Sequence, residues 1–355
     1  MKKKLVGMLA TATLLTMALA GNVQAAEIRS VGPDGEAAVD ASTIELTDDQ
    51  IAQIKEGGYT AAICLHYGGN DWSTSQQKGL EDTFGELGIE IVAVTDANFS
   101  AETQVSNIET VMAKKPDILV SIPTDATATA DAYKQAAAAG IKIVFMDQRA
   151  DGLEAGKDYV SVVSADNYGN GYASGTVLGD ALGGKGKVAM VYYDANFAPT
   201  NQRDEGFRDA MKNYPDIEIV TEQGFTDESG CAEQGDAILT QFPNIDGIYA
   251  SWDVPMEGVL SAVRAAGMEG KVTLACNDLG NNVAREIASG NIAGGGAQMP
   301  YDQGVAEAKL AALALLGEET PSYVAETVTH ENVLEAYTDV YHVETPDWLK
   351  EAYVE

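Results

Sequence analysis

The sequence predicts an α/β fold of two doubly wound parallel-sheet lobes, and two observations carry that prediction. From Tyr59 onward, short runs rich in Ile, Val and Ala alternate with helical patterns, the signature of βαβ units. The two halves of the chain repeat this plan, so each half predicts an open twisted sheet with right-handed crossovers. Beyond residue 25 nothing approaches eighteen consecutive apolar residues, so no bilayer span is expected there.

Residues 1–4 form a basic segment, residues 5–20 an apolar stretch short for a bilayer span, and Val23-Gln24-Ala25 before Ala26 a small-residue cleavage site. A cleaved export signal over residues 1–25 is therefore expected. No Cys follows the apolar stretch, so a lipid anchor is not expected. Residues 26–42 read as a flexible leader. Thr47-Asp-Asp-Gln50 is a capping box that opens a helix through Ile51 and Ile54. Strands are expected at 60–65, 89–94, 118–122, 141–146 and 159–163, with Leu80, Phe84 and Leu87, then Val105, Ile108 and Met112, on the core-facing stripes of intervening helices.

The glycine-rich turn from Leu182 to Lys187 opens the second lobe, with strands expected at 187–192, 218–221, 247–250, 272–275 and 294–298. A short echo, Asp96-Ala-Asn-Phe99 and Asp194-Ala-Asn-Phe197, is explained by chance or common turn chemistry about as well as by duplication. Beyond Gly317, a strand-like run at 322–329 precedes a tail with Tyr337, Tyr341, Trp348 and Tyr353, expected to pack across the body.

Residues 26–355 carry 19 Lys and Arg, the 22 of the full chain less Lys2, Lys3 and Lys4, against 54 Asp and Glu, a net charge of −35. That excess argues against nucleic acid and anionic membrane surfaces as partners. Cys64, Cys231 and Cys276 lack metal-ligand spacing. Cys64 and Cys276 sit in apolar runs and read as buried thiols, and a Cys231–Cys276 disulfide stays open. His66, His330 and His342 have no partners at a recognised metal spacing, so neither a metal nor a cofactor is inferred.

In open α/β sheets, ligands bind beyond the carboxyl ends of the strands. Those places hold His66-Tyr-Gly-Gly-Asn-Asp-Trp-Ser73, Asp147-Gln-Arg149, Asp194-Ala-Asn-Phe197, Trp252-Asp253, Asn277-Asp278 and Gln298. Aromatic rings beside amides and carboxylates suit carbohydrate: sugar faces stack on rings, and hydroxyls, each donor and acceptor, are held by Asp, Asn, Gln and Arg.

Over roughly residues 59–329 the chain resembles the type I periplasmic binding proteins of the ribose-binding family. The resemblance rests on Gly69-Asn-Asp-Trp72, Pro116-Asp117, Ser121-Ile-Pro-Thr-Asp125, Gly140-Ile141, Ser164-Ala-Asp-Asn167, Gly184-Lys-Gly-Lys187, Arg203-Asp-Glu-Gly-Phe207, Trp252-Asp253 and Ala297-Gln-Met-Pro300. It implies two lobes joined by a three-crossing hinge, with crossings near 164–166, 298–299 and Thr327. The implied division is a signal peptide 1–25, a leader and short helix 26–56, an N-terminal lobe 57–164 plus 299–327, a C-terminal lobe 165–298 plus 328–340, and a tail 341–355. By position, Asn70 matches the family's first-lobe amide, Trp72 its stacking aromatic, Asp147 and Asp278 its two carboxylates, and Gln298 its hinge amide.

Three positions depart from the family pattern. The Arg usual after the first carboxylate is Gln148, with Arg149 one place on; a second-lobe Arg is Asn201, with Arg203 two places on; and Trp252 stands where Asn is common. A ligand other than ribose is expected, with Trp72 and Trp252 facing one ring from opposite lobes. The expected ligand-binding set is Asn70, Trp72, Asp147, Arg149, Asn201, Arg203, Trp252, Asp253, Asn277, Asp278 and Gln298.

The resulting expectation is a monomeric periplasmic receptor, not an enzyme, that closes on one neutral sugar or polyol and presents it to an ABC permease. A receptor feeding a chemotaxis or signalling sensor is the alternative within the fold, and an exported hydrolase or lyase the alternative outside it. Gly169-Asn-Gly171-Tyr-Ala-Ser-Gly175 has the wrong spacing for a dinucleotide loop and reads as a helix start whose glycines permit close packing. Ser75-Gln-Gln-Lys78 matches an acyltransferase pattern, but its S-D-N and K-T-G partners do not occur in the chain.

Overall fold

The computed structural model describes residues 28–326 and 332–354. The export signal and the crossing at Thr327 lie outside the described residues. In chain order the strands are β1 (Val39–Asp40), β2 (Thr60–Leu65), β3 (Glu90–Asp96), β4 (Ile118–Ser121), β5 (Lys142–Met146) and β6 (Ser161–Ala165). They continue with β7 (Lys185–Tyr193), β8 (Asp216–Phe225), β9 (Gly247–Ala250), β10 (Thr273–Cys276) and β11 (Tyr323–Glu326). The helices are α1 (Asp48–Gly57), α2 (Asp71–Leu87), α3 (Ala101–Lys114), α4 (Ala130–Ala138), α5 (Asn167–Ala181) and α6 (Ala198–Met211). After them come α7 (Cys231–Gln241), α8 (Asp253–Ala265), α9 (Asn281–Ala288), α10 (Pro300–Leu315), α11 (Val333–Tyr341) and α12 (Asp347–Ala352). None of the described helices is long and apolar enough to cross a membrane.

Two wholly parallel sheets result, ordered β1-β11-β6-β5-β4-β2-β3 and β10-β9-β7-β8. Helices cover both faces, which is why β4, β6 and β9 are buried along their whole length rather than on alternate residues. The two sheets share one plan, since β2 lies between β3 and β4 as β7 lies between β8 and β9. The Asp-Ala-Asn-Phe echo is therefore not a duplication. Its first copy follows β3, the edge strand, and its second follows β7, the counterpart of β2.

Helix starts follow local chemistry. Thr47 and Gln50 form the expected reciprocal capping box. Asp166 caps α5 by accepting from the Gly169 amide (2.9 Å). The glycines of the 169–175 segment allow α5 and α6 to touch: a Cβ on Gly171 would stand 1.8 Å from the Arg203 carbonyl oxygen, and one on Gly206 2.1 Å from that of Tyr168. This contact holds α6, and Arg203 on it, against the first crossing.

Four expectations change. Residues 28–42 are not a loose leader: β1 pairs with β11, and Asp166 accepts from the amides of Arg29 (2.9 Å) and Ser30 (2.8 Å) and from Ser30 Oγ (2.8 Å). The strand expected at 294–298 is a single bridge from Gly294 to Ala275, because Gly295 and Gly296 press against the Cys276 carbonyl and the Asn170 backbone. The strand expected at 159–163 begins two residues late, since Tyr159 still belongs to the turn that bridges to Ala155. The strand expected at 218–221 extends well past both ends of that range along β7. All three cysteines are buried free thiols, so the Cys231–Cys276 disulfide is not formed.

Candidate functional site

The carboxyl ends of the two sheets face each other across a cavity with about 480 Å³ of atom-free space, part of it open to solvent. The first lobe contributes His66, Tyr67, Asn70 and Trp72 after β2, Phe99 after β3, Ile122 after β4 and Asp147 after β5. The second contributes Tyr193 at the end of β7 and Phe197 after it, Pro199, Thr200 and Arg203 from α6, Trp252 and Asp253 after β9, and Asp278 after β10. Gln298 enters from the second crossing.

Asp147 and Asp278 follow β5 and β10, strands with the same place in their sheets, and both hold positive φ (53° and 67°). A left-handed conformation is tolerated by Asp better than by most residues but still costs energy, and it turns both side chains off the strand end into the cleft. Asp147 Oδ1 accepts from Ser164 Oγ (3.1 Å) and Gln303 Nε2 (3.1 Å). Burial raises its pKa, with the positive charge of Arg203 pulling the other way. Asp278 is held on both oxygens, by Gln298 Nε2 (2.9 Å) on Oδ1 and Arg203 Nη1 (2.9 Å) on Oδ2. Arg203 also donates to Asn167 Oδ1 (2.8 Å) and the Ser251 carbonyl (3.3 Å). Asp253 accepts from the amides of Val254 and Gly280 (both 2.8 Å), and burial, then repulsion from Asp278, pushes its pKa up to about 8.

The walls are aromatic. His66 stacks on Phe197 from the opposite lobe (5.5 Å, 18°), and Tyr67 on Phe99 (4.1 Å, 22°), which tilts against Tyr193 across the cleft. Trp72 meets His66 edge-on, whereas Trp252 stands edge-on to Tyr193 and donates its indole N–H to Glu228 (2.8 Å). Burial lowers the His66 pKa to about 3, so the imidazole is neutral. Three buried polar atoms of this lining have no hydrogen-bond partner among the described residues: Trp72 Nε1, His66 Nδ1 and Gln298 Oε1. The cavity opens to an outer chamber that Asp71, Asp227, Glu228, Asp253 and Glu257 line without any Lys or Arg.

Eight of the eleven expected residues meet here: Asn70, Trp72, Asp147, Arg203, Trp252, Asp253, Asp278 and Gln298. Three do not. Arg149 turns outward into a bidentate pair with Asp34 (2.6 and 2.7 Å) of the segment before β1. Asn201 lies two positions from Arg203 on α6, about 200° round the helix, and is exposed. Asn277 is buried behind the floor, where Ser174 Oγ, Tyr249 Oη and the Ser251 carbonyl occupy its amide. The expected set left out His66, Tyr67, Phe99, Tyr193, Phe197 and Thr200, although His66, Tyr67 and Phe197 stood in strand-end runs already singled out and Phe99 closes the first Asp-Ala-Asn-Phe run.

Residues 61–319 match the family model described as periplasmic binding protein domain. The chain is 29% identical to the D-ribose/D-allose-binding protein of Pseudomonas aeruginosa over 264 residues, 73% of this chain and 80% of that protein. It resembles the ABC transporter periplasmic solute binding protein of Actinobacillus succinogenes with bound D-allose (TM-score 0.68, 28% identity, 76% and 96% of the two chains). It also resembles an ABC transporter solute binding protein of Agrobacterium vitis bound with α-D-tagatopyranose (TM-score 0.72, 25% identity, 84% and 100%).

Proposed function

The chain belongs to the type I periplasmic binding proteins of the ribose-binding kind, and on that premise we propose that it is a receptor whose cleft takes one neutral monosaccharide or polyol and delivers it to an ABC importer. The family consists of solute receptors, not enzymes. The observation that carries the reading is the trio of unpartnered buried atoms in one cavity. Trp72 Nε1 is a donor, Gln298 Oε1 an acceptor, and His66 Nδ1 either, according to tautomer. A buried polar atom left unpaired costs about 1–3 kcal/mol, so a ligand that satisfies all three gains by supplying donors and acceptors together. Hydroxyl groups do this, and the free side of Asp147 adds an acceptor.

Charge narrows the class. The inner cavity sets Asp147 and Asp278 against Arg203 alone, with Asp253 adding its charge only above its raised pKa of about 8, and the outer chamber adds only acids, so uronates and sugar phosphates are repelled. The mechanism is closure. Contacts drawn from both lobes exist only when they meet, so the ligand shifts the open–closed balance by its differential affinity. In this reading the eight converging residues form the binding set, the lobes are 57–164 plus 299–327 and 165–298 plus 328–340, and a monomer exported by residues 1–25 carries its cargo to the permease in the periplasm. A thermal-shift screen over D-allose, D-tagatose, D-ribose, allitol and xylitol, followed by tryptophan-fluorescence titration, tests it. One saturable neutral ligand is expected, and a panel without a single stabilising sugar or polyol defeats the proposal.

A further inference from the structure

Asp71 stands between Asn70 and Trp72, both of which line the inner cavity, yet its own side chain does not. It crosses the cleft. Asp71 Oδ2 accepts from the Asn281 amide and Oδ1 from Asn281 Nδ2, both at 2.7 Å, joining the first residue of α2 in one lobe to the first residue of α9 in the other. Asn281 is fixed from behind, because its Oδ1 accepts from Tyr337 Oη of α11. The N-terminus of α9 has no side-chain cap of its own at Gly280. Its first amides are instead shared between two carboxylates: Gly280 donates to Asp253 of the same lobe, and Asn281 to Asp71 of the opposite one. The helix dipole and free amides at such a terminus favour negative charge, so the start of α9 is a socket that Asp71 fills only when the lobes meet.

A second bridge lies near Asp147. Gln148 donates from Nε2 to the Pro123 carbonyl of its own lobe (2.8 Å), and its Oε1 accepts from the amide of Ala198, the first residue of α6 (3.0 Å). Phe197, the cap residue of α6, supplies no side-chain bond to that terminus. Both bridges thus place a first-lobe acceptor on the uncapped start of a second-lobe helix, outside the cavity lining.

We propose that Asp71 and Asn281 form an interlobe clasp that sets the receptor's affinity through the closing equilibrium, without touching the ligand. The proposal rests on the receptor reading given above. Apparent affinity scales with the fraction of molecules able to close, so a clasp that stabilises closure tightens every ligand by one common factor. A residue that contacts ligand changes different ligands unequally.

The test is Asp71→Ala, Asn281→Ala and their double variant in the full receptor, titrated with each sugar or polyol from the screen that the unaltered protein binds. Asp71→Ala is expected to weaken all of them by the same factor, about tenfold, through faster release. The double variant should be little weaker than Asp71→Ala alone. Factors that differ among ligands, fully additive losses, or unchanged affinity overturn the clasp. An independent arm needs no ligand: spin labels at Lys114→Cys on α3 and Asp236→Cys on α7 report the interlobe distance, and Asp71→Ala should shift its distribution toward longer separations. An unchanged distribution counts against the clasp even if no sugar binds, whereas absence of sugar binding by the unaltered protein defeats only the receptor reading.

Discussion

Replacing Asp147 by Asn should move affinity and stability in opposite directions. The carboxylate is half-buried, and both of its hydrogen bonds fall on Oδ1, from Ser164 and Gln303. Asn keeps an oxygen for those two donors and tolerates the positive φ of 53° as Asp does. What changes is the other arm, where an acceptor that faces the cavity becomes an N–H donor and the negative charge disappears. A hydrogen bond to a charged group is worth about 1.5–3 kcal/mol, so sugar binding should weaken by about 10- to 150-fold. The unliganded protein should gain stability. Burial raises the pKa of Asp147 in the folded state, so folding favours its protonated form. Its stabilising contribution is full below the unfolded carboxylate pKa and is lost as pH rises through the higher folded value. At pH 8 the native protein therefore carries a desolvation cost that the Asp147→Asn variant would not. Isothermal titration with the sugar found by screening reads the first effect, and urea denaturation of the unliganded protein at pH 8 the second. An affinity within about threefold of the unaltered protein, or a fall in unliganded stability at pH 8, refutes the assignment.

Further outcomes follow from the same geometry. Gly171→Ala drives a Cβ to within 1.8 Å of the Arg203 carbonyl oxygen, so overpacking should cost about 1–3 kcal/mol or more and lower the melting temperature. Ser30→Ala removes the hydroxyl that donates to Asp166 and accepts from the Tyr168 amide; urea unfolding should show a loss of about 1–3 kcal/mol, against nearly none if residues 28–42 were loose. Asp253, pushed up to about 8 by burial and by Asp278, adds a fall in unliganded stability as pH rises from about 4 to 8, and Asp253→Asn should flatten that part of the stability–pH curve. Glu307 is fully buried, raised well above the usual carboxylate range by desolvation, and meets Gln76 Nε2 through Oε1 while Oε2 has no partner. Glu307→Gln should therefore hold or raise stability at pH 8, as urea midpoints would show.

The alternation of apolar runs with helical stripes was legible because parallel strands covered on both faces must be continuous hydrophobic segments. Strands β2, β4, β5 and β9 stand within a residue or so of their expected places. The misreadings have tertiary causes. Residues 28–42 are polar and turn-rich, so nothing local reveals that β11 lends β1 a strand partner or that Asp166, more than a hundred residues away, collects their amides. Residues 294–298 have strand-like composition at one end only; their glycines are there because the backbone of β10 and α5 leaves no room for a Cβ, a fact that exists only after packing.

The site was legible where a strand end fixes direction and obscure where a helix face or a distant partner decides it. Asn277 and Asp278 are adjacent, yet one faces the interior of the lobe and the other the cleft; sequence alone assigns both. Arg149 and Arg203 look alike as displaced substitutes for missing arginines, and their fates diverge: Asp34 captures the first outside the cleft, while α6 aims the second at Asp278. Gln148, at one departed position, now spans the lobes, and the rings of His66, Tyr67, Phe99, Tyr193, Phe197 and Trp252 supply most of the wall. The exchange has a physical consequence. Guanidinium groups would balance the cavity carboxylates and donate to ligand oxygens, whereas here Arg203 already donates to Asp278, Asn167 and the Ser251 carbonyl. Beyond the Trp72 indole N–H, donors then come from the ligand's own hydroxyls, which argues for a polyhydroxylated cargo held by acceptors and ring faces rather than by positive charge.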